Sequence, residues 1–224
     1  MDRLHRIRLL LGDAAVERLA HATVMVVGCG AVGSFAIEAL ARSGVGHLIL
    51  IDNDTVDTSN INRQLFALTS TVGMAKVDVA AARVRDINPD ADVVTHQIFW
   101  DADTDVAAAP NIVIDAIDSL SSKVALYTWC AARGIPVVSS MGAARKRDIS
   151  AIRVGKLSKT TVCPMAAAMR RMVRGRNLPD VMTVYSVEAA APQSTPGHTF
   201  GSIVTVTGAF GLHLANLVMD YLVK

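Results

Sequence analysis

The stretch that most constrains this chain runs from Thr23 to Gln64, TVMVVGCGAVGSFAIEALARSGVGHLILIDNDTVDTSNINRQ. Val24 to Val27 is an apolar, β-branched run too short for a helix, the pattern of a buried parallel strand. Gly28, Gly30 and Gly33 follow at once. That spacing permits a tight turn, close approach of a phosphate to the backbone, and close packing of the next helix, whose first N–H groups face the anion. The helix is expected over Ala31 to Ser43, and a second strand over His47 to Ile51. Asp52 then stands about 20 residues beyond the glycines, where such folds place the acid that holds a ribose hydroxyl. The pattern predicts an α/β fold, Rossmann-like and doubly wound, with a mainly parallel sheet and helices on both faces.

GxGxxG alone most often marks a nicotinamide-dependent oxidoreductase. Here it is followed by Asp54, Asn60, Arg63 and Gln64, and then by Lys76 in GMAK. Cations beside a glycine loop suit a triphosphate, because negative charge grows on the leaving pyrophosphate as the α-phosphate is attacked. The competing reading is a solvated turn with Ser59 as a helix cap. Lys76 falls in the first turn of a helix predicted over Ala75 to Asp86 and stopped by Asn88-Pro89. A cation there opposes the helix dipole unless an anion lies close, which favours a phosphate-facing role. Further on, Ile112 to Ile114 reads as another buried strand, with Asp115 and Asp118 at its carboxyl end, where open α/β sheets bind ligands. Asp118 can hold Mg²⁺ against phosphate oxygens. The alternative is a helix cap, since Asp is a leading cap residue. Asp115 is expected to brace the loop, and Lys123 is a lesser candidate for a phosphate contact.

These motifs together (GxGxxG, GVGxLxLxDxDxVxxSNxxRQ, GxxK and DAIDS) resemble the ubiquitin-activating-type adenylyltransferases. Within that superfamily the chain is most similar to the tRNA threonylcarbamoyladenosine dehydratases. The narrower likeness rests on RIRLLLG, NINRQ, GMAKVDVAAARVRDINP, DAIDSLSSKVAL, CPMAAAMRR and SVEAAAPQ. The resemblance implies ATP and Mg²⁺ as cofactors, with Gly28, Gly30, Ala31, Val32, Gly33, Asp52, Asp54, Asn60 and Gln64 around the nucleotide. Arg63, Lys76 and Asp118 would be catalytic, with Mg²⁺ on Asp118. It also implies that Arg6 reaches the triphosphate of a partner copy, so a homodimer; the bland alternative for Arg6 is a solvated basic face. The implied partners are tRNA and, by analogy with related enzymes, a sulfur-transfer protein. Two rivals stay open: activation of the C-terminus of a ubiquitin-like sulfur carrier, and an NAD-dependent oxidoreductase or Rossmann binding module.

The chain's 224 residues, 51% hydrophobic, suit one domain over 1–224. Cys29, Cys130 and Cys163 form no CxxC pair, which counts against structural zinc and for a reducing compartment. Related enzymes that activate carrier proteins commonly have two such pairs. No apolar run approaches the ~18 residues a bilayer needs, so no membrane association and a cytoplasmic location are expected. Cys163 stands where related dehydratases have an acid before the proline, and a sulfur-accepting role for it is a minor possibility beside an inert buried thiol.

The remaining expectations are a helical N-terminal segment over residues 3 to 20 with Asp13 as a cap, a strand over Val93 to Phe99, and a short acidic helix over Asp101 to Ala109. After these come a helix over Val124 to Arg133, strands over Val137 to Ser140 and Val181 to Val187, a small-residue turn over 199 to 207 and a buried helix over Ala209 to Val223. Formal net charge is only +2, so any RNA contact must be local. The basic residues Arg145, Lys146, Arg147, Arg153, Lys156, Lys159, Arg170, Arg171, Arg174 and Arg176 would form that footprint.

Overall fold

The computed structural model describes residues 2–192 and 200–224. In chain order the elements are α1 (His5–Leu11), α2 (Asp13–His21), β1 (Thr23–Val27), α3 (Gly33–Arg42), β2 (His47–Ile51), α4 (Lys76–Ile87) and β3 (Asp92–His96). They continue with β4 (Ile112–Asp115), α5 (Leu120–Arg133), β5 (Val137–Ser140), β6 (Ile152–Lys156), α6 (Pro164–Val173), β7 (Met182–Ser186) and α7 (Val204–Leu222).

The strands form a seven-stranded sheet in the order β3-β2-β1-β4-β5-β7-β6. Every neighbouring pair is parallel except β6 with β7. Strand alternation splits the core in two: Val24 and Val26 face the layer of α3, α4 and α7, while Met25 and Val27 face that of α5 and α6. Helices thus cover both faces, as a parallel sheet requires. The order reverses between β1 and β4, so the crevice for a ligand opens at their carboxyl ends.

Several boundaries differ from expectation, each for a local reason. The N-terminal segment is two helices broken at Gly12 (φ +83°), and Asp13 is the first residue of α2 rather than its cap. α3 begins at Gly33, because Ala31 and Val32 belong to the turn that closes the glycine loop. Asp101 to Ala109 is not helical. The Asp101 carboxylate accepts the Asp103 N–H, and Thr104 Oγ1 accepts that of Asp101, so side chains take the donors a helix would need. β3 stops at His96, leaving Ile98, Phe99 and Trp100 in coil. The 145–159 segment supplies β6, the edge strand. α5 starts at Leu120, earlier than Val124. α7 starts at Val204 and not Ala209; it buries Val206, Phe210, Leu214 and Val218 but leaves Leu212 and Tyr221 exposed. Gln193 of SVEAAAPQ and the start of the 199–207 turn lie outside the described residues.

Candidate nucleotide-binding site

The carboxyl ends of β1, β2, β4 and β5 open on a cleft of about 520 Å³. Its floor is the glycine loop. Gly28 has φ +96°, and a Cβ there would meet the Ala116 carbonyl oxygen at 2.7 Å. Gly30, Ala31 and Val32 line the cleft. Gly33 does not; a Cβ there would stand 1.7 Å from the Gly28 carbonyl oxygen, so this glycine seats α3 against the loop rather than touching a ligand.

Asp52 leaves β2 at the cleft wall and accepts two backbone N–H groups, from Cys29 (2.7 Å) and Asp54 (2.9 Å). Its carboxylate is thereby held beside the glycine loop. Burial raises its pKa above the ordinary aspartate value, against the opposing pull of Lys76 and these two N–H donors. A ribose hydroxyl needs the ionised acceptor. Binding should therefore weaken as pH falls through this raised pKa, at higher pH than for a solvated aspartate. Adenosine has no phosphate to titrate, and calorimetry on it across mildly acidic pH should show this loss in the wild type and a flat, weak response in Asp52→Ala.

Lys76 opens α4 and is nearly buried, with Nζ 2.7 Å from Asp54 Oδ2. The anion that offsets its position at a helix N-terminus is thus a neighbouring side chain. Arg63 lines the cleft and donates to the Ser59 carbonyl (2.8 Å) and Asn62 Oδ1 (2.9 Å), both uncharged acceptors that leave its charge uncompensated. Gln64 is buried and lines the cleft, its amide beside Gly30. Asn60 is off the wall: its Oδ1 accepts the Asp57 N–H in a capping box that shapes the loop carrying Arg63 and Gln64. Asp57, not Ser59, is the cap.

Asp118 is exposed on the opposite wall. The cap of α5 is Ser119, so Asp118 is free of that duty. Among the described residues no three His, Cys, Asp or Glu side chains gather to hold a metal. A lone carboxylate in a cleft suits Mg²⁺ carried on phosphates, since that ion uses one or two protein carboxylates and takes its other ligands from substrate and water.

Lys123 is not a phosphate contact. It is fully buried, with Nζ 2.8 Å from Asp115 Oδ2 and 2.7 Å from the Ser140 carbonyl. Ser139 Oγ donates to the same Asp115 oxygen at 2.6 Å, and Asp115 Oδ1 accepts the Ile117 N–H at 3.1 Å. Asp115 thus braces the loop bearing Asp118, as expected, with Lys123 as its partner. The nearby Tyr127 hydroxyl is buried, and burial together with Asp115 pushes its pKa well up.

Sequence reasoning missed the apolar wall made by Ile98, Phe99, Trp100, Ile117 and Met141. Its signal was IFW just past a parallel strand, where side chains meet ligands, but assigning Ile98 and Phe99 to the strand hid it. Arg6 lies exposed on α1 and does not line this chain's cleft. All three cysteines are free and buried. Burial raises the Cys29 thiol well above its usual pKa, and burial with Asp115 lifts Cys130 to about 12. Cys163, 1% exposed, sits behind Gly142, shielded from any sulfur donor.

The basic cluster is thinner than its sequence. Lys146 is buried and donates to the Glu188 carbonyl. Arg145, at φ +61°, donates to the Ala191 carbonyl at 2.6 Å, and Arg170 donates to the Thr160 carbonyl at 2.9 Å. The other seven side chains are exposed.

The chain is similar to the tRNA threonylcarbamoyladenosine dehydratase of Bacillus subtilis (strain 168), 42% identical over 195 residues, which are 84% of this chain and 76% of that protein. The enzyme of the same name from Haemophilus influenzae is 34% identical, with 97% of this chain and 91% of that one covered. The crystal structure of the E. coli tRNA N6-threonylcarbamoyladenosine dehydratase in complex with ATP matches with a TM-score of 0.91 at 37% identity, covering 98% of this chain and 93% of that one. Its complex with AMP matches with a TM-score of 0.92. The model of the ThiF family matches residues 2–224, and the chain belongs to that family.

Proposed function

We propose that this chain is an ATP-dependent dehydratase that adenylates the carboxylate of N6-threonylcarbamoyladenosine in tRNA and closes it into a ring. The observation that carries the reading is the convergence of Arg63, Lys76 and Asp118, from three separate segments, on a cleft floored by the glycine loop and Asp52. An oxidoreductase has no use for that set.

The residues divide the work. Asp52 would hold the ribose, and the apolar wall at Ile98 and Phe99 suits a base. Gly30, Ala31 and Val32 line the cleft where the start of α3 favours negative charge. Arg63 and Lys76 offset charge that grows on pyrophosphate as the substrate carboxylate attacks the α-phosphate. Asp118 would hold Mg²⁺, which supplies further neutralisation of phosphate charge. The carbamoyl group then attacks the acyl carbon and expels AMP, which carries away the carboxylate oxygen. The base is left lighter by one water, and no side-chain nucleophile is needed, in keeping with three buried thiols.

A homodimer is part of this reading. Leu9 and Leu10, 76% and 81% exposed on α1 beside Arg6, support a second copy against that helix. A cytoplasmic location accords with three free cysteines and with no described helix long and apolar enough to cross a membrane. Recovery from the membrane fraction would count against it.

The test supplies ATP, Mg²⁺ and tRNA bearing the threonylcarbamoyl group. We expect AMP and pyrophosphate in equal amounts and, by mass spectrometry, a nucleoside that has lost one water. Pyrophosphate exchange that needs a carrier-protein C-terminus and ignores the tRNA would replace this reading with the carrier-protein one.

A further inference from the structure

The structure assigns the exposed flank formed by edge strand β6, the turn after it and the last turns of α6 as the surface that docks the phosphate backbone of an RNA helix. This rests on the tRNA reading above and says where the polynucleotide lies outside the cleft. Between Ile149 and Ser186 the only acid is Asp180. Its carboxylate accepts from Ser158, through Oγ at 2.6 Å and N–H at 2.9 Å, and against the opposing effect of burial these bonds and the nearby charges of Lys156 and Lys159 lower its pKa, so it offsets part of the charge of those two lysines. Arg153, Lys156, Lys159, Arg171, Arg174 and Arg176 are all exposed in this span.

Elsewhere many of the chain's cations are held in ion pairs, with Arg6, Arg18, Arg63 and Arg85 among the exceptions. The ion pairs of lysine and arginine among the described residues involve Arg3, Arg8, Arg42, Lys76, Arg83, Lys123 and Arg133, and none involves a residue of this flank. Arg153 and Arg176 spend hydrogen bonds only on backbone carbonyls, which hold the guanidinium in place without cancelling its charge. Six exposed cations with one acid among them make a local positive patch on a chain of near-neutral net charge, which suits the binding of a polyanion.

The layout matches the cleft. α6 starts beside the cleft wall at Met165 and runs away from it for ten residues, about 15 Å. Its far end carries Arg171, Arg174 and Arg176, and the turn holding Lys159 is tied to it through Arg170 and Thr160. A base in the cleft would thus continue into a helix whose phosphates pass along this flank. Lys146 is excluded because it is buried, and Arg145 and Arg170 because each is only partly exposed.

The experiment measures affinity for tRNA bearing the threonylcarbamoyl group as a function of salt, for wild type and for the triple variant Arg171→Gln, Arg174→Gln, Arg176→Gln. If each arginine meets a phosphate, the slope of log affinity against log salt should flatten by roughly 2 to 3 units. Adenosine binding and thermal stability should stay at wild-type values. The triple arginine-to-lysine variant should keep the wild-type slope, which separates charge from shape. Lys156→Gln with Lys159→Gln provides an independent pair, expected to flatten the slope by about 1 to 2 units. Unchanged slopes in both neutralised variants, with a wild type that still cyclises its tRNA, would overturn this surface and spare the function. A wild type that binds tRNA here but never releases AMP on it would instead sink the function. If the neutralised variants lost affinity for an acidic carrier protein and kept that for tRNA, the assignment to RNA would be wrong.

Discussion

Lys76→Ala should lower adenylation, read as ATP–pyrophosphate exchange, by on the order of 100- to 1,000-fold while adenosine affinity stays close to wild type. The ammonium sits at the start of α4, 2.7 Å from Asp54 and on the cleft wall. Its contribution is greatest when charge builds on the departing pyrophosphate, so its loss falls on the rate and spares ribose recognition by Asp52. Removing it also leaves Asp54 unneutralised, which adds repulsion where the phosphates go. The same variant tests the role of Arg6. If Arg6 serves the neighbouring copy's site, Lys76→Ala chains mixed with Arg6→Ala chains should recover about a quarter of wild-type activity, because one site in each mixed dimer has both cations. Full turnover by Lys76→Ala would place the triphosphate elsewhere, full turnover by Arg6→Ala would remove Arg6 from the site, and two inactive variants that do not recover on mixing would rule out its acting across the interface.

The second large effect is on stability. Lys123→Met should destabilise the fold by about 3 to 5 kcal/mol, the cost of leaving one half of a buried ion pair without its partner. Asp115 would keep the Ser139 hydroxyl and the Ile117 amide but face the core as an uncompensated carboxylate. A double variant, Lys123→Met with Asp115→Leu, should recover much of that loss in chemical denaturation, because no lone charge remains buried. It should not recover adenylation, since the Ile117 N–H that Asp115 anchors sets the loop of Asp118. A single variant as stable as wild type would mean that the pair contributes nothing to the fold.

That pair also marks a limit of sequence reading. The residue types of DAIDSLSSK placed both aspartates and Lys123 near the strand end, and all three are there. Which of them faces the cleft depended on β5, whose Ser139 and Ser140 complete a buried polar pocket around the ammonium. Nothing within a few residues of Lys123 announces that pocket. The basic cluster behaves alike: Arg145 and Lys146 look like their neighbour Arg147 in sequence, yet they are spent on carbonyls of Ala191 and Glu188, more than 40 positions away.

By itself the sequence determined the parallel strands, the glycine turn and the positions of Asp52 and Asp118 beyond strand ends, of Lys76 at a helix start and of Arg63 in the loop after β2. Those features follow from side-chain period, from backbone angles that glycine alone adopts freely, and from side-chain chemistry, all of which act over a few residues. Only the tertiary structure decided which charges are free. It turned Lys123 and Lys146 inward, closed off Cys163, moved Ile98 and Phe99 from a strand to the cleft wall, and left one flank of cations outside any ion pair. A buried charge must find a partner and a solvated one need not, and that partner is chosen by packing between segments distant in the chain.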